Sequence, residues 1–93
     1  MRVLIVVIDL QLPGVRSLKE RRGILEPLKN RLRRDLNLSV SEIKPRNLAD
    51  RARLGIAAVV DNRANGDAQL SRVEAIVERE HRVVVLEQET EYW

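Results

Sequence analysis

The chain of 93 residues contains no cysteine and no phenylalanine, and its single tyrosine and single tryptophan, Tyr92 and Trp93, stand at its end. The absence of cysteine excludes disulfides, thiolate metal sites and cysteine nucleophiles. The shortage of aromatic side chains nearly excludes recognition of unpaired bases by stacking, and no Gly-x-x-Gly loop of the KH type occurs. A lone histidine, His81, is a poor metal ligand set. With four glycines and three prolines there is no flexible linker, repeat or low-complexity tract, so residues 1–93 read as a single domain. No apolar run approaches the roughly 18 residues of a membrane span. The opening run Val3–Ile8 ends at Asp9 with no small-residue cleavage site behind it. The expectation is a soluble cytoplasmic protein without a membrane partner. No triad, metal cluster, P-loop or dinucleotide fingerprint is present, so no catalytic, cofactor-binding or metal-binding residue is assigned and no cofactor is expected.

What is present is charge, unevenly placed. Seventeen basic residues face 14 acidic ones, a net charge of +3. Fourteen of the basic residues are arginine, which suits bidentate contacts to phosphate or carboxylate. Residues 1–63 hold 14 basic and seven acidic side chains, a net +7, whereas residues 64–93 hold three and seven, a net −4.

The elements follow from periodicity and punctuation. Within Arg2 to Leu12 the run Val3–Ile8 is apolar and largely β-branched, and Pro13-Gly14 stops the segment, which predicts a strand. Ser17-Leu18-Lys19-Glu20 fits a capping box, so a helix is expected from Leu18 to Leu36, with Asn37 at its end and Pro27 kinking or loosening it. Its apolar residues Leu18, Ile24, Leu25, Leu28, Leu32 and Leu36 fall within about 120° of a helical wheel. Leu38–Ile43 and Arg51–Val60 read as strands. A second helix then runs to about Glu80 and a last strand covers Arg82–Tyr92. This order predicts an α+β ferredoxin-like βαββαβ fold: a four-stranded antiparallel sheet with both helices on one face.

Such a sheet, left bare on one side, should alternate apolar and polar residues. Val3–Ile8, Leu54–Val60 and Val83–Leu86 do not alternate, so the second face also carries apolar side chains. That predicts a homo-oligomer, most simply a two-fold dimer that stacks or extends the sheets. Glu87, Glu89 and Glu91 share one side of the last strand; they either guard a sheet edge or meet arginines of a partner subunit. Asp9 either marks where its strand reaches solvent or pairs with Arg51 or Arg53.

Pro13-Gly14 with Ser17-Leu18-Lys19-Glu20-Arg21-Arg22, then Val40-Ser41-Glu42, Asn47-Leu48, Arg51-Ala52 and Leu54-Gly55, resemble the YlxP-like family of small bacterial proteins of unassigned function. The resemblance spans essentially the whole chain. It departs at Pro27, at Asn47 where members often carry an acidic residue, and at Ala49 where tryptophan is common. The resemblance implies a ferredoxin-like fold, no known cofactor and no established reaction. Members are often encoded beside translation and ribosome-maturation genes, which implies a ribosomal RNA or ribosomal protein partner.

The residues themselves add a basic stretch, Arg16–Arg34, with eight basic and two acidic side chains. Lys19, Arg22, Lys29 and Arg33 share about 80° of the wheel and extend along roughly 20 Å of helix, enough to follow several phosphates. Together with Arg16 they are the expected phosphate contacts of a non-enzymatic accessory protein that touches RNA or the ribosome. Two other readings stand beside it. One is a structural or regulatory homo-oligomer with no nucleic-acid role. The more remote is an acylphosphatase-like hydrolase using Arg16 and Asn47, whose separation of 31 residues is wider than acylphosphatases keep.

Overall fold

Ten residues without a helical gap pattern, Arg2–Gln11, form strand β1. In the computed structural model, which describes residues 1–43 and 48–93, it is followed by α1 (Leu18–Leu36), β2 (Ser39–Glu42), β3 (Arg51–Val60), α2 (Arg63–Glu78) and β4 (Val84–Tyr92). The strands lie in the order β2-β3-β1-β4 and every neighbouring pair is antiparallel. This is the ferredoxin-like arrangement. β1 is central and pairs with β3 along all ten of its residues, from Arg2 opposite Val60 to Gln11 opposite Arg51.

Alternation along β1 and β3 builds the core. Leu4, Val6, Ile8, Leu10, Ala52, Leu54, Ile56 and Ala58 point inward and are buried. Ile24, Leu25, Leu28 and Leu32 of α1 and Val73, Ile76 and Val77 of α2 close over them. Leu18, counted on the apolar face by the wheel, is the first residue of α1 and is exposed.

Local chemistry sets the boundaries. The Ser17 hydroxyl accepts from the Glu20 amide at 3.1 Å and donates to the Glu20 carboxylate at 3.2 Å, so the box closes through side chains. Asn37 ends α1 in the left-handed region at φ 53°. The helix is unbroken at Pro27, which lies with Gly23 on the exposed side, where a carbonyl freed of its bond can reach water. Asn62 caps α2 by accepting from the Asn65 amide. The last strand starts two residues later than Arg82 because Glu80 accepts from the Arg82 backbone amide and holds the segment in a turn.

β4 is a bare edge: none of its nine residues is buried. Its far end is held by Tyr92, whose hydroxyl donates to Asp67 at 2.5 Å and whose ring lies 4.9 Å from the Arg63 guanidinium. Gly66, inside α2, makes room for that ring; a Cβ there would stand 2.6 Å from the Tyr92 hydroxyl oxygen. Gly66→Ala is therefore expected to destabilise the native chain. In a Tyr92→Ala background the same change should instead stabilise by up to about 1 kcal/mol, the ordinary helix preference for alanine. Denaturant titrations of the four variants give the sign reversal.

Candidate functional site

Arginine is where the chain's chemistry lies, and the fold separates structural arginines from available ones. Arg21 occupies the middle of the apolar sector of α1 and is 7% exposed. Its Nη2 donates to Glu42 Oε2 on β2 at 2.6 Å, and its Nε donates to the Arg51 carbonyl at 3.3 Å. Lys29, also buried, lies 2.7 Å from Glu26 Oε1 and 3.8 Å from Glu42 Oε1. The Lys29 ammonium holds the Glu26 carboxyl below its ordinary value. Arg33 donates to the Val40 carbonyl at 2.6 Å. This ionic seam fastens the four-residue edge strand β2 to α1. It is also what the wheel alone misses. Arg21 is a charge inside an apolar stripe, a signal visible in the sequence. The partner Glu42 lies on another element and was not.

The five expected phosphate contacts therefore do not stand together. Arg16, in the loop after Gly14, and Lys19 and Arg22, in the opening turns of α1, are exposed and form no ion pair among the described residues. Lys29 departs from them: it sits at the rim of the apolar sector, where β2 covers it and Glu26 and Glu42 take its charge. Arg33 is exposed as a residue but one of its nitrogens is committed to Val40. Asn47, the second residue of the hydrolase reading, lies outside the described residues, as do Lys44, Pro45 and Arg46.

Glu80 forms a second ionic centre. It is buried, and accepts from the Arg82 amide, Arg82 Nε and Nη2, and from Arg31 Nη2. The hydrogen bonds from Arg82 pull its carboxyl down to about 2. His81 beside it is exposed.

The sheet face away from the helices carries Val3, Ile5 and Val7 of β1 and Ala57 and Val59 of β3, with Val59 70% exposed. Ile43 lies over Gly55 on the same face, in the space a Cβ at Gly55 would take. Asp9 and Arg53, opposite one another, form a two-pronged pair, Nε to Oδ1 at 2.6 Å and Nη2 to Oδ2 at 3.1 Å. Asp9 raises the Arg53 guanidinium above its ordinary value, and Glu87 and Glu89 act in the same direction. These groups, with Val7 and Ile43, line a depression of about 260 Å³. Among the described residues no group of three or more histidine, aspartate or glutamate side chains is placed to hold a metal ion. No helix among them is long and apolar enough to cross a membrane.

A family model described as a protein of unknown function (DUF503) matches residues 3–90. Over 62 residues, 67% of either chain, the sequence is 37% identical to the uncharacterized protein YlxP of Bacillus subtilis. Three solved structures share the fold. SnoaB, a cofactor-independent oxygenase from Streptomyces nogalater, superposes with a TM-score of 0.58 at 7% identity, covering 98% of this chain and 90% of its own. A dimeric ferredoxin-like protein from an uncultured marine organism gives 0.56 at 10% identity, covering 98% and 92%. A de novo designed ferredoxin-fold protein gives 0.52 at 12% identity, covering 100% and 83%. At these identities the likeness is one of fold alone.

Two outcomes follow from the ionic centres. Arg21→Met leaves the half-buried Glu42 with only Lys29 as a partner and should cost about 2 kcal/mol, whereas Arg22→Met next to it should change stability by less than about 0.5 kcal/mol. Urea titration of both variants checks this. The Glu80 carboxyl is depressed in the folded chain, so its contribution is full above the unfolded value of 4.5 and is lost as pH falls towards about 2. Glu80→Gln should therefore cost up to about 3 kcal/mol near neutrality, with the difference from the native chain vanishing by about pH 2. Thermal melts across that range read the convergence.

Proposed function

The chain belongs to the DUF503 family of proteins of unknown function, and we propose that within it this protein is a non-enzymatic accessory protein that contacts RNA phosphates through the basic opening of α1. The observation that carries this reading is the placement of Arg16, Lys19 and Arg22, exposed and without an ion-pair partner among the described residues. Cations near a helix N-terminus oppose the helix dipole, at about 0.3–1 kcal/mol each. Stability alone disfavours the arrangement. Arg16, Lys19 and Arg22 outnumber the one carboxylate of the first turn, Glu20, and leave this end of the helix a net positive surface for an anion. At the other end of α1 Arg33 adds positive charge with one nitrogen committed to Val40, and Arg34 pairs with Asp35. Aromatic stacking has no platform there, so the contact is with phosphate and shape. Ribosomal RNA is the target that the family resemblance favours.

A second reading, a structural or regulatory homo-oligomer, is favoured by the apolar open face of the sheet. The dimeric ferredoxin-like structure among the neighbours shows that proteins of this fold dimerise.

Co-sedimentation with separated ribosomal subunits tests the first reading. Binding should be saturable and should fall at least tenfold between about 50 and about 200 mM salt. Lys19→Glu/Arg22→Glu should abolish it and leave the melting temperature of the free protein unchanged or raised. Binding that persists in this variant, or an absence of binding at low salt, would remove RNA contact through α1.

A further inference from the structure

The open face of the sheet is polarised across its strands. Acidic residues sit on β1 and β4: Asp9, Glu87, Glu89 and Glu91. Arginines sit on β3: Arg51 and Arg53. Asp9 and Arg53 meet directly, and the apolar band of Val3, Ile5, Val7, Ala57 and Val59 continues from them along the same two strands. Trp93, paired with Val3 through both backbone bonds and 73% exposed, extends that band at one end.

We propose that a second copy of this chain covers the open face, related by a two-fold axis that runs along the strands. This deepens the oligomer reading given above and rests on it. The charge pattern selects the axis. A two-fold parallel to the strands lays β4 of one copy over the β2–β3 side of the other and β1 over β3. Glu87 and Glu89 then approach the partner's arginine side, and each Asp9–Arg53 pair lies against its equivalent with opposite charges facing. A two-fold perpendicular to the strands lays β4 over β4 and sets glutamate against glutamate. Pairing of the two β4 edges does the same, since antiparallel strands centred on Glu89 bring Glu87 opposite Glu91. Like charges directly opposed are destabilising.

The area suffices. Strands about 4.8 Å apart rising about 3.3 Å per residue give a face of roughly 500 Å² per copy. Two copies would bury about 1,000 Å² in projection, and side-chain relief adds to this, which reaches the range of specific interfaces. A basic peptide is a competing occupant for the glutamates, but it offers no counter-charge to Arg51.

Size-exclusion chromatography with light scattering at micromolar concentration tests the arrangement, with circular dichroism as the check on folding. The native chain should have twice the monomer mass of 10.7 kDa. Glu87→Arg/Glu89→Arg and Arg51→Glu/Arg53→Glu should each raise the dimer dissociation constant by about tenfold or more, and the two variants should associate with one another when mixed. Val59→Asp, which touches no ion pair, should also dissociate the dimer and keep the native circular dichroism. A native mass of 10.7 kDa overturns the dimer and the oligomer reading together. A native dimer in which the glutamate variant pairs with the native chain rather than with the arginine variant overturns the axis and leaves the oligomer. A dimer that survives Val59→Asp removes the sheet face from the interface.

Discussion

β1 is paired along its length on both sides, so its side chains can only alternate between one face of the sheet and the other. Everything else is arranged around that alternation. Two helices are enough to cover one face, and they do so with leucine, isoleucine and valine from α1 and α2 against Leu4, Val6, Ile8 and Leu10. The residues between, Val3, Ile5 and Val7, are then left on the other side with no layer of this chain to cover them. Burial of apolar area favours a covering layer by about 25 cal/mol for each Å². The open face is a consequence of composition as much as of topology: β-branched residues that suit a strand were placed on both of its sides.

Arginine divides the remaining work. In a chain with so few aromatic side chains, long guanidinium stems join the layers. Arg21 ties α1 to β2, Arg31 and Arg82 gather on Glu80 where α2 turns into β4, Arg53 neutralises Asp9, and Arg63 packs on Tyr92. The buried ones are satisfied, since no buried side-chain nitrogen or oxygen among the described residues lacks a hydrogen-bond partner. Arg16, Lys19 and Arg22, like Arg72 and Arg79, are exposed without an ion-pair partner among the described residues, and the three differ from that second pair in gathering at a helix N-terminus, where positive charge is unfavourable.

Much of the fold was legible in the sequence because local signals agreed. The strand β1, both ends of α1 and the limits of β3 followed from apolar runs, a capping box and an asparagine placed where the left-handed conformation is needed. Asp9 was legible as either the point where its strand reaches solvent or the partner of Arg51 or Arg53, and register places it against Arg53. The candidate site was less legible. The wheel puts Lys29 with Lys19, Arg22 and Arg33, but a wheel carries no record of what packs beside it. Glu42 comes from a strand of four residues whose approach is a tertiary event, and it withdraws Lys29 from the surface. The start of β4 was missed for a similar reason: Val83 and Arg82 suit a strand, and only the buried Glu80 reveals why the chain turns there first.

The two proposed surfaces lie on opposite sides of the molecule and do not compete. The helices occupy one face of the sheet and the apolar band the other, so a sheet-to-sheet dimer would leave the opening of α1 on the outside of both copies. Stacked sheets stand about 10 Å apart, and a helix layer adds about 10 Å on each side. Two copies of the Arg16, Lys19 and Arg22 cluster would then be held rigidly on opposite surfaces, roughly 30 Å or more apart. A single short duplex could not reach both. A folded RNA with phosphates on either side of a cleft could, and the second contact would then be intramolecular, gaining affinity without any new side chain. Three cations make a weak phosphate site alone. A rigid two-fold frame is the physical means by which a small domain of this charge would convert such a site into a selective one for the shape of its target.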